Sequence, residues 1–432
     1  KHDSRRRRTL RGSSCEHCTP GTHTACMERG HHHSRGQTGV YRTCCQSYHK
    51  ETAMNQPSIY IHKLIDNLTR STVNFALYRQ PWTDMPILVL QESGNTQIID
   101  SLTDLNGQRG FLLAPFRRTE QHPIVLIRPT HVEHDWEAIS ETLTRLVQDR
   151  TDLIPTQTEL PFSKTASFIT QEASDKEWEN YRQAFERFIA PLQQKQFQKL
   201  VLSRRTFLEL PDSFSPLTSF INACNNYPRM MISLCHTPET GTWLGSTPEI
   251  ILSGHGTQWH TVSLAGTMPM QGDVIPTDWS DKNIREQAFV SDYIRRTIKQ
   301  FGNKITEKGP YPARAGQLVH LKTDFNFILK DASQVGNILY ELHPTPAVCG
   351  LPKNETYEFI NENEGYARRY YAGIIGWLDP EEDTSLYVNL RCMNIEGKRS
   401  TLYAGGGILS SSTLESEWEE TQQKLNTMLS IL

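Results

Sequence analysis

The C-terminal end of the chain carries side chains whose types and spacing could do chemistry. Glu417, Glu420 and Lys424 follow one another at i, i+3 and i+7, so on a helix they lie along one side. Paired carboxylates are oxygen ligands of the kind that a hard cation prefers, although a solvated helix face with a Glu–Lys pair has the same pattern. The preceding glycine run, 405–407, leaves backbone N–H groups uncovered for an anion. The pattern therefore predicts a cation site beside an anion site.

A third glutamate, Glu286, stands where an unpaired charge is unfavourable. Apolar spacing predicts a helix over 281–301, and Glu286 precedes Phe289, Val290 and Tyr293 of its apolar stripe by three, four and seven residues. A buried carboxylate must be ion-paired, metal-bound or protonated. The alternative is a helix end that frays into solvent.

The elements that position these residues follow from the spacing of apolar side chains. Further helices are predicted over 59–68 and 176–194, from about residue 356, and after the N-cap candidates 410–413. Short apolar runs separated by turns predict antiparallel strands at 86–90, 109–113, 123–127, 199–204, 229–235, 242–245, 249–252, 260–264 and 385–391. The Pro-rich segments 151–164 and 342–352 are predicted to be connections, the second a rigid loop.

The composition is that of a globular protein in which residues 1–53 are basic and the remaining residues are acidic. The chain has 432 residues, 37% of them hydrophobic, and a net charge of -3. Residues 1–53 hold ten Lys and Arg against four Asp and Glu, so the remaining 379 hold 35 against 44. The acidic main part argues against nucleic acid as a partner. The sequence contains no apolar run of about 18 residues, the length that would predict a membrane span. We expect a cytoplasmic protein.

Residues 1–53 read as a disordered basic leader that does not belong to the natural protein, which we expect to start at Met54. Five of the nine cysteines lie there. The segment Cys15-Glu-His-Cys18 suggests zinc, but the spacing fits no common zinc motif and no apolar residues surround it. The four remaining cysteines are scattered and are expected to be reduced thiols.

Six motifs in order give the chain a family resemblance. They are Lys199-Leu-Val-Leu-Ser-Arg204, Leu244-Gly-Ser-Thr-Pro-Glu249, Ser263-Leu-Ala-Gly266-Thr, Lys282-Asn-Ile-Arg-Glu286, His343-Pro-Thr-Pro-Ala and the closing Ala-Gly-Gly-Gly-Ile…Glu-Trp-Glu-Glu420-Thr…Lys424. Together they resemble the chorismate-utilising enzymes, most closely the isochorismate synthases of menaquinone and siderophore synthesis. The likeness is dense from about residue 196 to the C-terminus and loose before it.

The resemblance implies an α+β fold in which two antiparallel β-sheets pack together with helices on the outside. Residues 54–160 would form the N-terminal part of this fold, and residues 161–432 would form the chorismate-binding catalytic core. The active site would lie in a cleft between the sheets.

The resemblance also implies Mg2+ and an acid–base pair. Glu286 and Glu420 would bind the metal, and Glu417 would support a metal-bound water. Lys199 would be the general base that activates water and Glu249 the general acid that protonates the departing hydroxyl, because the reaction takes one proton and gives one. A lysine acts as a base only where burial or nearby cations favour its neutral form.

Substrate contacts carry over from the same motifs. Arg391 and the N–H groups of the glycine run would hold the enolpyruvyl carboxylate of chorismate, with Tyr403 beside them. Lys424 would hold the ring carboxylate, and Gly266 and His343 would line the ring pocket. The glycines concerned are Gly405, Gly406 and Gly407.

Branch-specific positions favour water over ammonia as the nucleophile. Leu264 and Ala265 resemble the residues of the family members that use water, so we expect no glutaminase partner. We also expect a monomer or a weak dimer. Gln287 stands where family members commonly have a histidine, and Met268 and Met270 stand where another branch of the family has arginines. A salicylate synthase, an anthranilate-type synthase using ammonia and a catalytically idle binding module are the alternatives.

Overall fold

A computed structural model describes residues 54–155 and 171–432. The strands are β1 (Asn74–Arg79), β2 (Ile87–Gln91), β3 (Gln97–Ile99), β4 (Gly110–Ala114), β5 (Ile124–Ile127), β6 (His131–His134), β7 (Lys199–Glu209), β8 (Met231–Thr237), β9 (Gly241–Thr247), β10 (Ile250–His255), β11 (Gln258–Pro269), β12 (Gly302–Ala315), β13 (Leu318–Leu329), β14 (Gly350–Leu351), β15 (Ile374–Leu378), β16 (Thr384–Val388), β17 (Cys392–Glu396) and β18 (Arg399–Ile408). The α-helices are α1 (Ile59–Leu68), α2 (Asp135–Asp149), α3 (Gln171–Gln193), α4 (Pro216–Asn226), α5 (Asp281–Phe301), α6 (Val335–Leu342), α7 (Lys353–Asn363) and α8 (Leu414–Leu429).

The strands form two nine-stranded sheets. Sheet A has the order β14-β7-β18-β17-β9-β8-β1-β2-β6, and sheet B has the order β12-β13-β11-β10-β16-β15-β4-β5-β3. Every neighbouring pair in these orders is antiparallel. Strands from residues 54–155 lie in both sheets beside strands from the C-terminal part. The predicted α+β fold with two antiparallel sheets is confirmed.

Two apolar cores hold the layers together. One contains side chains of both sheets, such as Trp243 of sheet A and Leu386 of sheet B, together with faces of α3, α5 and α6. The other contains side chains of sheet A and of the helices α1, α2, α4 and α8. Helices therefore cover the outer faces. None of the helices within residues 54–155 and 171–432 is long and apolar enough to cross a membrane.

The helix that carries Glu286 shows how the sequence sets the site. Ser280 caps α5, its hydroxyl accepting from Asn283 N at 3.3 Å. Val290, Ile294 and Ile298 repeat every four residues and are buried, so this face packs into the core. The bounds of α5 and of α1 agree with the sequence prediction.

Other boundaries differ from the prediction. Helix α7 begins at Lys353 rather than near residue 356. Thr413 occupies the N-cap position of α8 without a side-chain capping bond, and the hydroxyl of Ser412 accepts from Leu409 N instead. The leader, its cysteines and the connection 156–164 lie outside the described residues.

Candidate active site

A cavity is lined by residues from both sheets. Strands β7 and β18 of sheet A face strands β11 and β13 of sheet B across it, and α5 and α8 close its sides. The predicted site residues that line it are Glu249, Gly266, Glu286, Arg391, Tyr403, Gly405, Gly406, Gly407 and Lys424.

The glycine run, for which the sequence predicts uncovered backbone N–H groups, is part of strand β18. Residues 405–407 pair with Ser203, Leu202 and Val201 of β7, whereas pairing with β17 ends at Tyr403. Beyond Tyr403 one edge of β18 is therefore free of a neighbouring strand. Side chains pack against this strand where a Cβ at each glycine would lie, so the three glycines make room for them.

Lys199 and Glu286 form a buried ion pair, of which Glu286 lines the cavity. Lys199 Nζ lies 3.0 Å from Glu286 Oε1, and the side chains are 0% and 9% exposed. A Cβ on Gly407 would overlap the Glu286 carboxylate and lie 3.0 Å from Lys199 Cε. Lys199 Nζ makes no well-aligned hydrogen bond within the described residues. Glu286 is thus on the buried stripe and ion-paired, and the helix end is not frayed.

Glu249 is the candidate proton donor. It follows β9, is 4% exposed, and its backbone carbonyl accepts from Val388 N at 2.9 Å. Burial raises the pKa of its carboxyl to about 8, although Lys199, Lys424 and Arg391 act to lower it. The carboxyl is therefore largely protonated at neutral pH and can donate a proton inside the cavity.

Helix α8 holds two further carboxylates, each beside a lysine. Lys282 Nζ donates to Glu417 Oε1 at 2.6 Å, and Lys424 Nζ donates to Glu420 Oε1 at 2.7 Å. Burial and the neighbouring Glu420 raise the pKa of Glu417. Burial opposes ionisation of Glu420, but Lys424 and Lys282 outweigh it and lower its pKa. The i,i+4 pair exists as the sequence suggested, but it is not a solvated helix face.

The donors on α8 fit a hard cation. Glu417 Oε2 is buried without a hydrogen-bond partner, and it and Glu420 Oε1 both lie 3.3 Å from the point where a Cβ on Gly406 would be. Two carboxylate oxygens thus converge on one gap, which is the donor chemistry that Mg2+ takes. Across residues 54–155 and 171–432, however, no three His, Cys, Asp or Glu side chains form a metal-sized group. Glu286 contacts Lys199 in this arrangement, and its role as a metal ligand with Glu417 and Glu420 stays a prediction.

Arg391 is held in place by a histidine that the sequence did not single out. Its Nη1 donates to Ala315 O at 2.8 Å and its Nη2 to His320 Nε2 at 2.6 Å. A guanidinium only donates, so Nε2 accepts and the His320 proton lies on Nδ1, 3.1 Å from Gly266 O. Burial, with Arg391 and Lys424 nearby, lowers the pKa of His320 to about 3, which keeps the ring neutral.

Lys424 is the second cationic side chain that lines the cavity with Arg391, and aromatic rings line it beside them. Lys424 Nζ also donates to Gly405 O at 2.8 Å, which leaves one N–H for an anion. The Tyr403 ring stacks on Tyr371, with centroids 5.4 Å apart and planes 10° apart. Burial lowers the pKa of Arg391 to about 10, so it remains charged at neutral pH. Two cations therefore face the cavity between an aromatic wall and the glycine strand.

A comparison of the sequence with models of protein families identifies the family of this chain. A family model described as chorismate binding enzyme matches residues 46–432. The chain belongs to the chorismate binding enzyme family.

Relatives and solved structures are isochorismate synthases and an anthranilate synthase. Isochorismate synthase DhbC of Bacillus subtilis is 30% identical over 58% of this chain and 67% of its own length. The vibriobactin-specific isochorismate synthase of Vibrio cholerae is 26% identical over 67% and 76%. The menaquinone-specific isochorismate synthase MenF of Escherichia coli superimposes with a TM-score of 0.66 at 21% identity, covering 84% of this chain and 91% of that one.

The same fold extends to anthranilate synthase component I of Streptococcus pneumoniae. That structure has a TM-score of 0.58 at 18% identity and covers 82% of this chain and 90% of the other. Both structural similarities show the fold. The fold therefore does not distinguish an enzyme that uses water as the nucleophile from one that uses ammonia, and this distinction must come from the residues of the cavity.

One predicted residue lies elsewhere. His343 Nε2 pairs with Pro115 O at 3.1 Å and lines a second cavity. Ala347 and Val348 of the same loop line the first cavity instead, because the Pro-rich segment turns between them. The prediction that His343 lines the ring pocket is corrected accordingly.

Three site residues escaped the sequence reasoning. His320 and Tyr371 line the cavity, and Lys282 holds Glu417. Lys282 lies in a recognised motif, so its position was a usable signal. His320 is paired with a residue 71 positions away, and no local pattern indicates it.

Proposed function

We propose that this chorismate binding enzyme is an isochorismate synthase. It would convert chorismate to isochorismate by adding water at C2, shifting the ring double bonds and releasing the C4 hydroxyl. The observation that carries the proposal is Glu249, a buried and largely protonated carboxyl in a cavity lined by the cations Arg391 and Lys424. The isochorismate synthases among the relatives support it. Its product would feed menaquinone or siderophore synthesis.

Glu249 would act as the acid. Hydroxide is a poor leaving group, so the C4 oxygen needs a proton as its bond to carbon breaks. A glutamate at its ordinary pKa would be ionised at pH 7, whereas the buried Glu249 holds its proton. After the reaction the carboxylate would face Lys199, Lys424 and Arg391, the three cations that act on its pKa.

Lys199 would act as the base toward water. In the free protein its ammonium contacts Glu286 at 3.0 Å. The side chain must lose a proton and this contact before it can take a proton from water. The ion pair would therefore hold the base inactive until the site is filled.

Mg2+ would bind at Glu417 and Glu420, with Glu286 able to join once it leaves Lys199. When bound, the cation would neutralise the ring carboxylate and polarise the substrate. In the free protein each of these three carboxylates contacts a lysine.

The substrate carboxylates would be bound by the two cations of the cavity. Arg391 Nη1 donates to Ala315 O and to Met230 Sδ, and Nη2 donates to His320. Its Nε–H and second Nη2–H remain for a carboxylate, and together they form a bidentate fork. Lys424 would take the other carboxylate through its third N–H.

A direct assay tests the proposal. Purified protein is incubated with chorismate and Mg2+, without ammonia, and the products are separated by chromatography and weighed by mass spectrometry. We expect a product of unchanged mass whose formation stops on chelation with EDTA. Salicylate with pyruvate would assign a salicylate synthase. Conversion only after ammonia is added would assign an anthranilate-type enzyme.

A further inference from the structure

A lysine outside the active site has the surroundings of a nucleophile. Lys353 is the first residue of α7, and its Nζ donates to Glu341 O at 2.7 Å and to Tyr340 O at 3.2 Å. Both carbonyls belong to the last turn of α6, where backbone acceptors lack helical partners. A neutral amine has two N–H groups, so these two bonds satisfy both and leave the lone pair free.

The amine lines a cavity that could admit a small anion. Arg118, His343 and Asn354 line this second cavity with Lys353, and the acidic residues Asp100 and Glu341 also belong to its lining. The first turn of α7 has no side-chain cap, so its leading N–H groups are open to an anion. Arg118 adds a cation, although Asp100 pairs with it at 2.5 Å. An acyl phosphate carries both the negative charge and the electrophilic carbonyl that such a site would take.

We propose that Lys353 is a modification site that small acyl phosphates acylate, and that the acyl group slows turnover at the neighbouring substrate cavity. The neutral amine attacks the acyl carbon and forms a C–N bond while the C–O bond to phosphate breaks. Phosphate leaves with the electron pair, and the proton released from nitrogen passes to phosphate or water. The product is an amide and inorganic phosphate, and no other reactant is needed.

The surroundings of Lys353 favour the reactive form. Burial lowers the pKa of its amine to about 8, while Glu341 and Cys349 act to raise it. His343 lines the same cavity, and burial lowers its pKa to about 4, so it is neutral there. At pH 7.5 the lowered pKa gives roughly 200-fold more neutral amine than an ordinary lysine has. A less basic amine is a weaker nucleophile, so we expect a rate advantage of about tenfold.

Lys353 is close in the chain to the catalytic strand. Leu351 of β14 pairs with Lys199, and Gly350 pairs with Leu200. An acyl group would remove the charge and at least one N–H of Lys353, and with it the bonds that tie α7 to α6. The strand that flanks the proposed base would lose this support. This consequence depends on the proposed function, whereas the acylation itself does not.

The chain contains a matched control for the chemistry. Lys330 Nζ also donates to two carbonyls at a helix C-terminus, Gln300 O at 3.1 Å and Lys299 O at 3.4 Å, but its side chain is exposed. The full-length protein is treated with acetyl phosphate at pH 7.5, and both sites are quantified by peptide mass spectrometry over time. We expect Lys353 to react about ten times faster than Lys330. Equal or slower reaction at Lys353 would overturn the proposal.

Activity measurements test the consequence. Loss of chorismate turnover should follow the occupancy of Lys353, and Lys353→Arg should resist inactivation because it keeps the donors without the nucleophile. Lys353→Gln should lower kcat several-fold, whereas Lys330→Gln should not change it. Inactivation that proceeds unchanged in Lys353→Arg would refute the coupling. Absence of chorismate turnover in the untreated protein would refute the proposed function and leave the modification rates to decide the chemistry.

Discussion

Replacing Glu249 by Gln should abolish turnover and leave the fold intact. The side chain is 4% exposed and its pKa is raised to about 8 by burial, so at pH 7 roughly nine in ten molecules hold the proton. At the ordinary value of about 4.3, fewer than about one in a hundred would hold it. Gln keeps the shape but has no acidic proton. Loss of a positioned general acid costs about 100- to 10,000-fold in rate.

The pH profile of the wild type tests the same assignment. Because kcat/KM reports groups of the free enzyme, it should fall about tenfold per pH unit above pH 8 as Glu249 ionises. Chorismate consumption is followed by chromatography from pH 6 to pH 10, with circular dichroism at each pH to monitor folding. A profile that stays level to pH 10, or Glu249→Gln with near wild-type turnover, would refute the role of Glu249.

Stability gives a control that does not depend on activity. The pKa of Glu249 is higher in the folded protein than in the unfolded chain, so folding binds a proton at pH values between the two. The stability that the protonated carboxyl contributes is present below about pH 4 and is lost as pH rises through 8. Glu249→Gln has no such loss. Its thermal midpoint relative to wild type should therefore increase between pH 6 and pH 9. A constant difference would show that Glu249 is not held protonated.

Three further predictions follow from the other contacts. Gly407→Ala would place a methyl group against the Glu286 carboxylate and Lys199 and should lower the free energy of unfolding by about 1–3 kcal/mol; a wild-type value in denaturant unfolding would contradict the packing. His320→Ala should raise KM for chorismate about tenfold with a smaller change in kcat, because a hydrogen bond to a charged group contributes about 1.5–3 kcal/mol; an unchanged KM would contradict it. Glu420→Gln should weaken Mg2+ binding at least tenfold in calorimetry, whereas the exposed neighbour Glu419→Gln should not; equal affinities would exclude Glu420 as a ligand.

Local sequence patterns predicted much of the fold because those elements depend on nearby residues. Helix α5 has a capping serine and an apolar repeat, and its bounds agree with the prediction. The burial of Glu286 followed from its place on that repeat, but its partner Lys199 did not, since the two are joined only by tertiary packing. The roles of Lys199 and Glu249 came from family motifs, because a strand lysine has no local signature of a base.

The misplaced features depended on contacts between distant residues. The run at 405–407 pairs with β7 as part of a strand, which the residues alone did not indicate because glycine has a low strand propensity. Lys282 and Glu417 are 135 positions apart, and no periodicity connects them. His343 was assigned to the ring pocket by its motif, whereas the loop turns it toward Pro115.

The source of the new hydroxyl tests the central claim most directly. The reaction is run in water enriched in the heavy oxygen isotope, with chorismate and Mg2+, and the product is analysed by mass spectrometry. Because water adds at C2 and the C4 hydroxyl departs, the product should carry one heavy oxygen. An unlabelled product, or a nitrogen-containing product formed only with ammonia, would contradict water addition in this cavity.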